Sequence, residues 1–297
     1  MNVRLIKDKL AGRTMLVLTL LSILIAVLVA WGLFYRSLPL LESYSLNDLL
    51  TSSAWKPEKG EVGFLGFIMG TLWVTGIAII LALPLCLLVS IYLSEYAHPR
   101  LRKFIVPVVD LLSGIPPVLF GVWGVLFIIP LIQDHIAPNF VENSAGYSVL
   151  AGGIVLAIMI FPLLITLFLE VFSAVPRDML NASLSLGATP WQTVKKVLLK
   201  KAMPGMIAST VLAISRAFGE TIAVLMVCGG NVPGIPHSVF DSGYPLPVLI
   251  ANNFGETFSI PLYDSALLFA ALLLFVIIFI FNAISRIILV RVKRKIE

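Results

Sequence analysis

Arg216 and Glu220 are two ionisable residues inside an otherwise apolar stretch, residues 205–228. If that stretch is one helix, a spacing of four places both side chains on one face, at a depth where an unpaired charge is costly. A guanidinium is a planar fork of donors suited to phosphate or sulfate, and a nearby carboxylate would keep it from holding the anion too tightly. The two residues therefore predict an anion path. The alternative interpretation is an Arg-Glu pair that only joins two helices.

Small and polar residues continue the same predicted face. At spacings of three and four it collects Gly205, Ser209, Ala213 and Ala223. Such a stripe on a bulky membrane helix is typical of contact with a neighbouring helix or with a water-filled path.

Asp110 is a further candidate, earlier in the chain. It precedes Ser113-Gly114-Ile115-Pro116-Pro117 near the start of another apolar stretch. Because proline lacks a backbone donor and clashes with the preceding turn, this segment predicts a kink or break whose freed carbonyls line a cavity. The full set of predicted path residues is Arg216, Glu220, Thr221, Ser209 and Asp110.

The elements that must hold these residues are membrane helices. The chain has 297 residues, of which 59% are hydrophobic and 12% charged, and its mean hydropathy is +1.02. Six apolar runs are long enough to cross a bilayer, and none shows the alternation of a β-barrel. They are residues 16–34, 67–93, 104–131, 148–170, 205–228 and 265–289. We therefore predict an all-α integral membrane protein with six spans, which excludes the soluble enzyme classes.

The basic residues predict the orientation. Most of the 21 Lys and Arg residues fall in alternate segments between the spans, the pattern of cytoplasmic loops. Both termini are then cytoplasmic, with residues 1–15 as a tail and 16–297 as one membrane domain. The external segments are 35–66, 132–147 and 229–264, predicted to be ordered caps or partner surfaces. The short basic stretches lack interleaved aromatic residues, which argues against a nucleic-acid partner.

Residues 171–204 form the longest predicted cytoplasmic loop, and its helical pattern is interrupted at Gly187-Ala188-Thr189-Pro190. We predict a helix-turn-helix outside the bilayer, with Thr189 as N-cap and Pro190 at the first helical position. The second helix carries an apolar stripe of Trp191, Val194, Val197 and Leu198. Such a stripe fits a docking site for a cytoplasmic subunit or, alternatively, a helix resting on the membrane interface.

Signatures of catalysis and of metal binding are missing from the sequence. His98, His135 and His237 are scattered over different loops, and Cys86 and Cys228 lie in apolar segments. Neither a phosphate-cradling glycine loop nor a nucleophile elbow or HExxH pair occurs. We therefore predict no enzyme site, no metal and no cofactor, so that any energy input must come from a partner.

The cytoplasmic loop resembles the EAA loop of inner-membrane permeases of ABC importers. Asn181-Ala182-Ser183 stands where that family usually has Glu-Ala-Ala, and Gly187 matches the central glycine. Two positions depart from the pattern, since Asn181 replaces the usual acid and Lys200 replaces a proline. By this resemblance, contact with the ATPase is expected at Asn181, Ala182, Ser183, Gly187, Ala188, Thr189 and Trp191.

Within that superfamily the chain looks most like phosphate permeases, of the PstC type rather than its partner PstA. Three stretches carry the resemblance: 70–97, 115–124 and 216–227. The third is the most specific, with Gly219-Glu220-Thr221 followed by an apolar run and then by Asn231.

The resemblance implies a type I importer permease fold in the cell inner membrane, surrounded by lipid. It also implies a heterodimer with a second, PstA-like permease, cytoplasmic ATP-binding subunits, an external phosphate-binding protein and inorganic phosphate as substrate. Two alternatives remain open: an ABC permease for another oxyanion such as sulfate or molybdate, and a proton-coupled secondary transporter in which Glu220 carries the proton.

Overall fold

A computed structural model of the chain describes residues 3–142, 144–230, 234–254 and 261–296. The predicted Asn231, and Glu256 of the external segment 229–264, lie outside these residues. The described helices, in chain order, are α1 (Val3–Ser43), α2 (Leu46–Thr51), α3 (Leu65–Tyr96), α4 (Pro99–Ser113), α5 (Pro117–Asn139), α6 (Val149–Ser173), α7 (Arg177–Ser185), α8 (Pro190–Phe218), α9 (Ile222–Val227), α10 (Leu246–Asn253) and α11 (Pro261–Ile296).

Six of these helices, α1, α3, α5, α6, α8 and α11, are long and apolar enough to cross a membrane. This confirms the prediction of an all-α protein with six spans. The described strands, β1 (Trp55–Lys56) and β2 (Glu61–Val62), form a small antiparallel hairpin. With six crossings both termini lie on one side, here called the inner side, and the hairpin lies on the outer side.

Helices α3 and α6 form the most extensive contact in the described chain. Gly153 allows it, because a Cβ on this residue would overlap the side chain of Ile77. Further along, the Cys86 thiol donates to the carbonyl of Phe161 at 3.7 Å. The two helices therefore form the centre of the fold, and the others pack around them.

The remaining spans surround this centre. α8 packs against α6 and α11, while α1 packs against α11 at the edge. The most apolar part of α1 is exposed along its whole length on the isolated chain. On the outer side, a cluster of aromatic rings with centroids 5.0–6.4 Å apart closes the bundle. Its members are Trp55, Phe64, Phe67, Tyr244 and Phe269.

The third predicted span, residues 104–131, is wrong as a single helix. The chain forms α4, breaks at residues 114–116, and starts α5 at Pro117. The cause is the predicted one, since neither Pro116 nor Pro117 can donate a backbone hydrogen bond. The span proper therefore begins at Pro117. Asp110 lies before it on α4, an amphipathic helix whose apolar Phe104 and Leu111 are 71% and 75% exposed.

The fifth predicted span, residues 205–228, also differs from the structure. α8 begins already at Pro190, so the second helix of the loop 171–204 continues into the predicted span. It ends at Phe218, and a separate six-residue helix, α9, follows from Ile222. The predicted span is thus divided between two helices.

Candidate functional site

The break between α8 and α9 lies between Arg216 and Glu220. The amide of Gly219 donates to the carbonyl of Arg216 at 3.2 Å, which closes the last turn of α8. The carboxylate of Glu220 then accepts from the amide of Ala223 at 3.3 Å and so caps the start of α9. The prediction that Arg216 and Glu220 share one helix face is therefore wrong, because the helix ends between them.

Arg216 is exposed on the isolated chain, in the last turn of α8. A cation there is favoured by the helix dipole. Among the described residues, its guanidinium forms no hydrogen bond and no ion pair, with Glu220 or with any other acid. Its donors remain available to an anion or to another chain.

The rest of the predicted stripe on α8 faces inward. Ser209 and Ala213 are buried, and at Gly205 an added Cβ would lie 2.6 Å from the side chain of Val171 on α6. This part of the stripe is a close helix contact, which was one of the two predicted outcomes. Ser209 therefore lies within the packed bundle and Arg216 lies outside it.

Glu220 is half-buried beside two threonines of α3 that the sequence reasoning did not single out. With Thr71 and Thr75 it lines a small cavity that Pro245 and Pro247 also line. The Thr71 hydroxyl donates to the carbonyl of Phe67 and accepts from the amide of Leu246, at 2.8 and 2.9 Å. The sequence does carry a signal that could have identified them, since these two polar residues, spaced by four, interrupt the apolar run of the second predicted span.

Thr75 differs from Thr71 in its bonding. It is only 4% exposed, and its hydroxyl makes no hydrogen bond to the described residues. Thr221 follows Glu220 in the chain, and its hydroxyl donates to the carbonyl of Gly219 at 3.3 Å. The structure thus places Glu220 and Thr75 in the lining of one cavity, which Thr221 does not share.

Asp110 lies apart from this group, in a cavity of about 820 Å³ on the inner side. Its carboxylate accepts from the Thr166 hydroxyl at 3.1 Å. The polar residues that line the cavity are Ser94, Arg102, Lys103, Asp110, Thr166, Glu170 and Ser173. The proline segment, residues 113–117, does not line this cavity, so the cavity expected at that segment stays a prediction. Asp110 and Glu220 line different cavities.

A third cavity, of about 370 Å³, lies at the outer end of α9. Its walls include Tyr147, Met226, Gly229 and Asn252. α9 has six residues, so its length is about 9 Å. The outer cavity and Glu220 therefore lie at opposite ends of one short helix.

On the inner side, α7 and the start of α8 form the predicted helix-turn-helix. Thr189 is the N-cap of α8, with Pro190 at its first position, as predicted. The Thr189 hydroxyl accepts from the amide of Gln192 at 3.2 Å, and the Gln192 side chain accepts from the amide of Thr189 at 3.0 Å. Gly187 has φ +84°, a conformation that favours glycine and turns the chain between the two helices.

The apolar stripe of the loop does not form one surface. Val194 and Leu198 are buried within the chain, whereas Trp191 is 51% exposed. Two further apolar side chains of this region are exposed, Leu186 at 89% and Met179 at 41%. Sequence reasoning missed both, although Leu186 directly precedes Gly187 of the predicted turn. Of the remaining expected contacts, Asn181 and Ala182 are exposed, and Ser183 and Ala188 are half-buried.

Within the described ranges, no group of three or more His, Cys, Asp or Glu side chains could hold a metal ion. Cys86 and Cys228 are both buried and unpaired. The polar groups on either side of the helix break are the Arg216 guanidinium at the end of α8 and, next to the start of α9, the Glu220 carboxylate and the Thr221 hydroxyl. Guanidinium and hydroxyl groups can donate hydrogen bonds to an anion.

Comparison with known proteins agrees with this architecture. Residues 86–294 match the family described as binding-protein-dependent transport system inner membrane component. The probable phosphate transport system permease protein PstC of Methanocaldococcus jannaschii is 33% identical, covering 87% of this chain and 86% of its own. The PstC protein of Haemophilus influenzae is 32% identical, covering 84% and 82%. YqgH, a probable ABC transporter permease of Bacillus subtilis, is 35% identical, covering 94% and 90%.

Solved structures share the fold at low sequence identity. A chain of a bacterial alginate ABC transporter superposes with a TM-score of 0.64 at 14% identity, covering 96% of this chain and 97% of its own. A chain of the MetNI methionine ABC transporter has a TM-score of 0.53 at 19% identity, covering 75% and 91%. The fold is thus that of ABC importer permeases. The chain belongs to the family of binding-protein-dependent transport system inner membrane components and is a multi-pass membrane subunit of a transporter.

Proposed function

We propose that this chain is one permease subunit of an ATP-driven importer of inorganic phosphate, of the PstC type. It would form half of the path, beside a second, PstA-like permease, with cytoplasmic ATP-binding subunits below and an external phosphate-binding protein above. The names of the related proteins support this proposal, and the exposed, unpaired Arg216 at the helix break carries it.

The position of Arg216 is the main argument. It lies in the last turn of α8, a helix long and apolar enough to cross a membrane, and its side chain is exposed on the isolated chain. A charged guanidinium facing hydrocarbon is costly. This surface must therefore face a second protein chain or water, and a path between two permeases supplies both.

Glu220 and the nearby hydroxyls would complete the anion site. Arg216 donates to the phosphate oxygens, while Thr75 and Thr221 offer hydroxyl groups that can donate or accept. The carboxylate of Glu220 lowers the local positive potential, so that the anion leaves as well as enters. Asp110 belongs to the inner cavity, which we assign to the exit side of the path.

The loop 171–204 is the proposed contact with the ATP-binding subunits. Its tip exposes Leu186 and Trp191 to water on the isolated chain, and exposed apolar side chains at a tip favour a protein partner. The alternative, a helix resting flat on the membrane, fits less well, because α8 runs from this tip into a span. The inner side is then the cytoplasm, and both termini lie there.

The test is to purify the tagged chain in mild detergent, identify the proteins that accompany it, and reconstitute the complex in liposomes. We expect a second six-span permease and an ATPase to copurify, and phosphate uptake to require ATP and the external binding protein. Uptake of sulfate or molybdate in preference to phosphate would show that the substrate is that anion and not phosphate. Purification of the chain alone, with uptake abolished by an uncoupler while ATP is maintained, would favour the secondary transporter.

A further inference from the structure

An ion pair ties α7 to α3, a helix distant from it in the chain. Arg177 Nη1 lies 3.2 Å from Oε1 and 3.0 Å from Oε2 of Glu95. The hydroxyl of Ser94 donates to the same Oε1 at 2.7 Å. The Glu95 side chain is only 15% exposed, so the pair is screened less than one on an open surface.

Local helix stability does not account for an arginine at this position. Arg177 is the first residue of α7, at the positive end of the helix dipole, where a cation is disfavoured. Asp178 next to it is the residue type favoured there. What Arg177 contributes is the bond to Glu95.

The bond matters for how α7 is attached. In the part of the chain that the structure describes, α7 side chains make polar bonds to other helices at two places. One is the contact of the Ser183 and Thr193 hydroxyls at 2.9 Å, which joins α7 to α8. The other is Arg177 with Glu95, which joins it to α3. Loss of this pair leaves α7, within the described chain, with one polar side-chain bond to another helix, the bond to α8.

α3 leads from Glu95 to the candidate anion site. Glu95 lies in a wide, π-type last turn of α3, Tyr92–Tyr96, and such turns are frequent at functional sites. One turn earlier, the Ser90 hydroxyl donates to the carbonyl of Ile165 on α6 at 3.4 Å. Near the other end of α3, Thr75 lines the cavity beside Glu220. A displacement of α7 passed to Glu95 would therefore move α3 and α6 together against that cavity.

We propose that the Glu95–Arg177 pair is a positioning element that couples movement of α7 to the α3–α6 unit. The inference rests on the proposed function, in which the ATP-binding subunits drive α7. Neither residue touches phosphate or ATP. With the pair broken, ATP-driven movement of α7 still reaches α8 and, through the short link 174–176, the end of α6, but it is no longer passed directly to α3. Hydrolysis then continues while less phosphate crosses for each ATP consumed.

The experiment measures phosphate imported per ATP hydrolysed, using the full complex in liposomes with its binding protein. The variants are Glu95→Gln, Arg177→Gln, the double variant, Arg177→Lys and the exchange Glu95→Arg with Arg177→Glu. We expect each Gln variant to lower the ratio by about fivefold or more, the double variant to match a single one, and Arg177→Lys to stay near wild type. The exchange should recover part of the ratio.

The matched control is the Arg36–Asp264 pair, 3.6 Å apart on the outer side, where Arg36→Gln should leave the ratio unchanged. An unchanged ratio in all the Glu95 and Arg177 variants, or simple additivity in the double variant, would overturn the inference while leaving the proposed function intact. If a Gln variant does not assemble, Arg177→Lys and the exchange decide, because both keep opposite charges. A wild-type complex that imports no phosphate would overturn the proposed function instead.

Discussion

The carboxylate of Glu220 caps the amide of Ala223 and does not pair with Arg216, although the two charged residues are only four positions apart. The helix end at Phe218 separates them. The acid is held by α9 and the arginine stays unpaired within the described chain. This arrangement gives the two residues separable roles, which mutations can distinguish.

Arg216→Ala should reduce phosphate uptake by about tenfold to a hundredfold, because a hydrogen bond to a charged group contributes roughly 1.5–3 kcal/mol. Arg216→Lys keeps the charge but loses the planar fork, so we expect an intermediate rate. Uptake by the reconstituted complex is the measurement. If the Arg216→Ala complex assembles but takes up less phosphate, Arg216 lines the path. If the complex falls apart, Arg216 is a residue that joins helices.

Glu220→Gln should weaken the preference for phosphate over sulfate. We hypothesise that the carboxylate accepts a proton from hydrogen phosphate in a hydrogen bond, which fully deprotonated sulfate cannot donate. Glutamine keeps an oxygen for the Ala223 amide, so the cap on α9 remains and only the charge changes. The check is competition between the two anions during uptake. An unaltered phosphate preference in this variant would refute the hypothesis.

Gly153→Ala should destabilise the protein by about 1–3 kcal/mol, because the added methyl group overlaps Ile77 where α3 meets α6. Gly76→Ala is the matched control, since nothing lies within 4 Å of its added Cβ. Thermal unfolding in detergent compares the two. Adding Ile77→Ala to Gly153→Ala should restore part of the lost stability. Equal melting temperatures for Gly153→Ala and Gly76→Ala would show that the α3–α6 contact at Gly153 is looser than described.

Leu186→Glu should lower the amount of ATPase that copurifies with the chain, by about tenfold or more if this residue is a central contact. The side chain is 89% exposed, so the substitution costs the isolated chain little. Leu46→Glu, on the outer side and 56% exposed, is the control. ATPase recovery equal to wild type in the Leu186 variant would place the docking surface elsewhere.

Local features of the sequence determined the six spans and the form of the inner loop. Hydropathy summed over about 20 residues identifies a membrane helix whatever it packs against. The cap at Thr189 was predictable for a similar reason, because its partner Gln192 is three residues away and the following Pro190 has a fixed φ. Prolines likewise marked the break before α5.

Tertiary structure alone decided the end of α8 and the role of Glu220. Residues 219–221 contain no proline, and the apolar pattern on either side continues, so the sequence predicts one helix there. Whether Val194 faces the bundle while Trp191 is exposed also depends on where α7 lies. Glu95 and Arg177 are 82 residues apart, and the sequence around either residue does not predict that the other is its ion-pair partner. Hydropathy and capping act over a few turns of the chain, whereas these contacts exist only after distant helices have packed.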